Sequence, residues 1–196
     1  MTRLRTALSV AALLAVPAIS APAMAAVDAS DPVRFIDTLS DEGFRALRSS
    51  NKTAARNQFR TLLTQHFAVD QIGDRLLGRW RTQITPAQRA AYKAAFPGFL
   101  IGTYADRLYD YANADVKVLR AVPAARGFAV MSQVVQKGAG RPINAIWTVE
   151  QPNGRLQVTN LSVAGINLAV TQAADFDAYI QRNGIDRLIA FMKSRG

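Results

Sequence analysis

The chain has 196 residues, no cysteine and one histidine, with 24 basic against 14 acidic side chains and a formal charge of +10. Without cysteine there is no thiol catalysis, iron–sulfur cluster or cysteine zinc site, and one histidine cannot furnish a histidine-rich metal centre. A basic balance of this size points to anionic partners: nucleic acid for a cytoplasmic chain, lipid headgroups or an acidic protein for an exported one.

The first residues favour export. Arg3 and Arg5 precede an apolar run from Ala7 to Ile19, and Ala23-Met24-Ala25 supplies an A-x-A cleavage pattern. That is the layout of a secretory leader, and the run is too short to span a bilayer comfortably. The expected organisation is a signal peptide over 1–25 and one domain over 26–196. With the leader removed, 22 basic residues face 14 acidic ones; in an exported chain that balance points to lipid headgroups or an acidic protein, and nucleic acid is not an expected partner. A domain of this size builds a core large enough to fold without disulfides.

The first half reads helical. Phe35, Ile36, Leu39, Phe44 and Leu47 form an apolar stripe, softened by Gly43. Phe59, Leu62, Leu63 and Phe67 form a second, and Val69, Ile72, Leu76 and Leu77 a third that Gly78 is placed to end. Thr85, Pro86 and Gln88 make a capping box with proline in the first turn. The helix they open carries Tyr92, Phe96, Phe99, Leu100 and Tyr104, and Pro97 is expected to kink or divide it.

After Asn113 the period falls to two. Segments 115–122, 127–137, 142–150 and 155–163 alternate in the manner of strands, the last two joined through Asn153-Gly154. Helical spacing returns at Leu168, with a last segment from Ile185 to Met192. The order predicts an α+β fold: a helical part over about 31–112, a four-stranded curved antiparallel sheet over about 115–164, and C-terminal helices over about 167–195. Both sheet faces are apolar. Ile143, Ala145, Trp147 and Val149 point one way and Ile146 the other. A sheet covered on one side usually alternates apolar with polar, so the second face calls for a cover of protein or ligand.

Catalytic chemistry has little to build on. His66 follows an apolar stripe, where packing is the ordinary role, and no serine sits in a nucleophile-elbow pattern. The carboxylate pairs Asp41-Glu42, Asp70-Asp74 and Asp175-Asp177 lie among arginines, where solvated ion pairs are the ordinary role. No glycine-rich phosphate loop is present. The chain is therefore read as a non-enzyme.

The stretch from Phe59 to Tyr111 resembles the periplasmic MlaC family, also called toluene-tolerance auxiliary proteins. Phe59, Leu62, Leu63, Phe67, Leu77, Gly78, Trp80, Arg81, Thr85, Gln88, Phe96, Leu100 and Tyr104 follow that family's pattern in order. The C-terminal GRLQVTNLSVAGINLAVTQAADF resembles its closing strand and junction. The departures are Leu156 and Asn160 where the family often has Trp and Asp, Gly165-Ile166-Asn167 for Gly-Val-Ser, and Ala173 for an arginine.

The resemblance implies a monomeric periplasmic carrier without a cofactor, its cargo a phospholipid. Its implied partners are an inner-membrane MCE-type ABC transporter complex and an outer-membrane lipoprotein complex. Acyl chains would enter an apolar pocket between sheet and helices. Trp80, Phe96, Leu100 and Tyr104 are expected to line it from the helices, and Val130, Trp147, Val149, Leu161, Val163 and Ile166 from the sheet and junction. A hopanoid or other lipid carrier of the same fold, and an exported adaptor that binds no lipid, are the alternatives.

Overall fold

A computed structural model describes residues 26–109, 112–136, 138 and 141–196. The leader expected over 1–25 lies outside the described residues, as does Tyr111. Helices α1 (Pro32–Leu47), α2 (Lys52–His66), α3 (Val69–Leu77) and α4 (Pro86–Tyr109) precede a sheet of β1 (Ala114–Pro123), β2 (Phe128–Gln136), β3 (Ile143–Glu150), β4 (Gln157–Val163) and β5 (Ile166–Asn167). Helices α5 (Leu168–Asn183) and α6 (Ile185–Arg195) follow, and a 3-10 turn over Gly78–Thr82 links α3 to α4. The strands form one antiparallel meander in the order β1-β2-β3-β4-β5. The sheet thus has five strands against the expected four. The fifth is only two residues long, too short for an alternating pattern to register.

Local chemistry sets most boundaries. The Asp31 carboxylate accepts from the Val33 and Arg34 amides at 2.8 and 3.0 Å, and Asn51 and Asn167 cap α2 and α5 in the same way. Ahead of α4 the capping box closes in both directions. The Thr85 amide donates to Gln88 Oε1 at 3.0 Å, and the Gln88 amide to Thr85 Oγ1 at 3.2 Å. Helix α4 nevertheless runs unbroken through Pro97, so the expected division does not occur. Tertiary packing outweighs the proline: α6 lies along α4 so closely that a Cβ at Gly102 would meet the Arg195 carbonyl oxygen at 1.6 Å.

The interior is two cores rather than one. Leu76, Leu77, Tyr92, Phe96, Phe99, Phe176, Leu188 and Met192 join α3, α4, α5 and α6. Phe35, Ile36, Leu39 and Leu62 meet Val130, Val149 and Val158 across the sheet. A small cluster of Leu63 and Ile101 bridges the two, sharing Leu100 and Val69 with the first core and Phe67 with the second. The joint between α2 and α3 is pinned to the sheet where the Ala68 amide donates to the Val158 carbonyl at 2.9 Å.

Two expectations need correction here. Val135 and Ile146, on the sheet face opposite the core, remain exposed, Ile146 by 43%. The second apolar face is thus not buried within the chain. Glu42 is not on a solvated face either: it is 2% exposed and ion-paired with Arg45. On α1 it falls in line with buried Phe35, Leu39 and Ala46 at helical spacing, which carries it inward.

Candidate functional site

Where the two cores fail to merge, a cavity of about 300 Å³ opens between helices and sheet. Helix α1 presents Leu39, Ser40, Gly43, Phe44 and Leu47 to it, the face adjacent to the one that packs on the sheet. Phe59, Leu62 and Leu63 of α2 arrive at i, i+3 and i+4, and Leu100 and Tyr104 of α4 at i and i+4. The sheet supplies Trp147, Val158, Leu161 and Val163, and α5 closes the ring with Leu168, Ala169 and Gln172. Among the described residues no carboxylate or cationic side chain lines this space.

The few polar groups in the wall are mostly engaged with one another or with neighbours. Trp147 Nε1 donates to Ser132 Oγ at 2.9 Å, which leaves the indole ring to act as apolar wall. Tyr104 Oη donates to Gln172 Oε1 at 3.1 Å, tying α4 to α5 across the cavity. Thr159 Oγ1 donates to Glu150 Oε1 at 3.0 Å. Ser40 Oγ and Asn160 Oδ1 are buried without a hydrogen-bond partner. At Gly43 a Cβ would meet nothing within 4 Å, so this glycine leaves part of the α1 face open.

Of the ten residues expected in the pocket, Leu100, Tyr104, Trp147, Leu161 and Val163 line the cavity. The other five sit elsewhere. Phe96 belongs to the helical core, and Val130 and Val149 are fully buried between α1 and the sheet. Ile166 is 56% exposed and is not part of the cavity wall. Trp80 packs against the helical core, with Arg79 stacked 5.0 Å above its ring. Sequence reading missed the contributions of α1 and α2. Gly43, a glycine inside an apolar helical stripe, was the signal that could have found the first.

The surroundings of Trp80 form a brace. Asp177 of α5 accepts from Trp80 Nε1 at 2.8 Å, from Arg79 at 2.8 and 3.1 Å, and from Gln181. Burial works to raise the Asp177 carboxyl, but these hydrogen bonds outweigh it and hold the pKa below the ordinary 3.8. A depressed carboxylate stabilises the fold above its unfolded pKa, and that contribution is lost as pH falls through the folded value. Asp177→Asn should therefore lower the melting temperature at pH 7, with the gap to wild type closing as pH drops below about 4. Thermal melts across that range test it, and a gap independent of pH would refute the ionic origin.

His66 is half-buried against the edge of Phe35, ring centroids 5.9 Å apart. Burial, aided by the Arg155 charge, pushes its pKa below the ordinary value. Among the described residues no group of three or more His, Asp or Glu is placed to hold a metal ion. No described helix is long and apolar enough to cross a membrane.

A meander sheet and helices enclosing a mostly apolar cavity define a class of α+β proteins built around an internal binding space. Within it the chain belongs to the MlaC family, whose model, described as MlaC protein, matches residues 35–194. A solved structure from Ralstonia solanacearum, described as a phospholipid-binding protein in complex with a phospholipid, shares the fold. It superposes with a TM-score of 0.65 at 24% identity, over 82% of this chain and 93% of that one.

Proposed function

We propose that this chain is a lipid carrier, exported to the periplasm by a cleaved leader, which holds the acyl chains of a phospholipid in the cavity between its two cores. The observation that carries this reading is the cavity wall, predominantly aliphatic and aromatic and, among the described residues, without a charged side chain. The family and the phospholipid described in the Ralstonia neighbour support it. Each methylene kept from water is worth about 0.8 kcal/mol, so a lipid crosses an aqueous compartment only if most of its hydrocarbon is covered. Such a protein needs no reaction. It needs a dry space that opens, and docking partners at each end, here an inner-membrane ABC transporter complex and an outer-membrane complex.

Native mass spectrometry of the protein purified from the periplasm, followed by organic extraction and lipid identification, tests the proposal. A stoichiometric adduct identified as phospholipid is the expected result. A hopanoid adduct would keep the carrier and change the cargo. A protein free of lipid in every preparation would leave the adaptor reading in its place.

A further inference from the structure

Between Arg155 and Asp175 the chain carries no ionisable side chain, although it is rich in arginine elsewhere. At the centre of that stretch Ala164 and Gly165 turn β4 into β5 with φ of +51° and +80°. Paired positive φ values make a tight hairpin turn, and alanine adopts one only at a cost. The turn is held by the Ala164 amide, which donates to the Asn144 carbonyl at 2.9 Å.

The turn sets Ile166 opposite Val163 in register. Directly paired residues share a face, so Ile166 lies on the side of the sheet where Val163 lines the cavity. Ile166 is 56% exposed, and Val170, in the first turn of α5, is 65% exposed. Leu168 and Ala169, between them in sequence, are cavity wall. The two exposed aliphatics thus continue the cavity lining outward, as a lip.

We infer that this lip, Ile166 just after the Ala164–Gly165 turn and Val170 in the first turn of α5, is the element that dips into a lipid surface when cargo enters or leaves. The inference rests on the lipid-carrier reading. Two features select a lipid surface over a protein. Two aliphatic side chains expose on the order of 200 Å², far below the roughly 800 Å² per partner of a standard protein interface. The flanking charge is also cationic. Exposed Arg141 precedes β3 at the same end of the sheet as the turn, and exposed Lys117 stands on the sheet face opposite Ile166, at the β1 end of a register row that runs through Gln133 and Asn144. A small apolar tip beside cations is the combination that gives weak, reversible binding to an anionic bilayer.

The test is flotation of the full chain with unilamellar vesicles of phosphatidylcholine, with and without phosphatidylglycerol. Wild type should associate with the anionic vesicles, and Ile166→Asp with Val170→Asp should reduce that association at least tenfold. Lys117→Gln and Arg141→Gln should each weaken it about fivefold on anionic vesicles only. A short-chain phospholipid supplied below its micelle concentration reaches the cavity without a surface. Its occupancy by native mass spectrometry should be equal in wild type and the lip variant. If the aspartates unfold the chain, Ile166→Ser with Val170→Ser carries the same comparison. Vesicle binding undiminished in a folded lip variant overturns the inference, as does a wild type that binds neither kind of vesicle. A wild type that fails to take up the short-chain phospholipid overturns the cavity reading instead.

Discussion

Leu161→Asp is expected to leave a folded protein that co-purifies with less than about a hundredth of the wild-type lipid. Leu161 pairs with Trp147 in the middle of the cavity wall and is only partly buried. Without cargo, the introduced carboxylate faces open space and can be hydrated. With cargo it faces hydrocarbon, and an unpaired ion stripped of water costs several kcal/mol. Each 1.4 kcal/mol is tenfold in affinity, so the loss falls on binding rather than on folding. Gly43→Leu separates volume from charge. It fills the open part of the α1 face and replaces a mid-helix glycine, which stabilises the helix by about 0.5–1 kcal/mol. Less lipid with a raised melting temperature is the expected pair of readings. If both variants fold and still carry lipid at the wild-type level, the cargo lies outside this cavity.

The fold was legible wherever its cause is local. The Thr85–Gln88 box and the Asn153-Gly154 turn each depend on a few neighbouring residues. A change of period at Asn113 separates helices from strands because side-chain direction repeats at 3.6 or at 2. The cavity is another matter. Periodicity tells that a face is apolar, not whether the face across from it touches. Leu100 and Phe96 stand one turn apart on α4, yet one borders the cavity and the other is sealed in the helical core. Val130 and Val163 are both inward residues of the same sheet. Val130 meets α1 while Val163 lies beyond the reach of that packing. A void is the difference between surfaces that come from distant parts of the chain, and no single stretch encodes it. The family resemblance supplied the expectation of a pocket, and geometry redrew its membership.

That redrawing makes opposite demands on two truncations to alanine in α4. Phe96→Ala should destabilise the protein by about 3–5 kcal/mol. Its ring is 1% exposed and stacks on Tyr92 with centroids 5.6 Å apart, while Gly73 of α3 comes so near that an added Cβ would sit 3.1 Å from the ring. Tyr92 in turn donates its hydroxyl to the Gly73 carbonyl at 3.0 Å. Removing the ring loosens both helices where Gly73 of α3 packs on α4, and little can collapse into the gap. Leu100→Ala removes a side chain that already borders open space, so its cost should lie near the low end for such truncations, about 2 kcal/mol. Urea denaturation of the two variants measures the difference. The fraction of Phe96→Ala that remains folded should still hold lipid, because the cavity wall is intact. The reverse order of stability, or loss of lipid from folded Phe96→Ala, would place Phe96 in the cavity, where the family resemblance had put it.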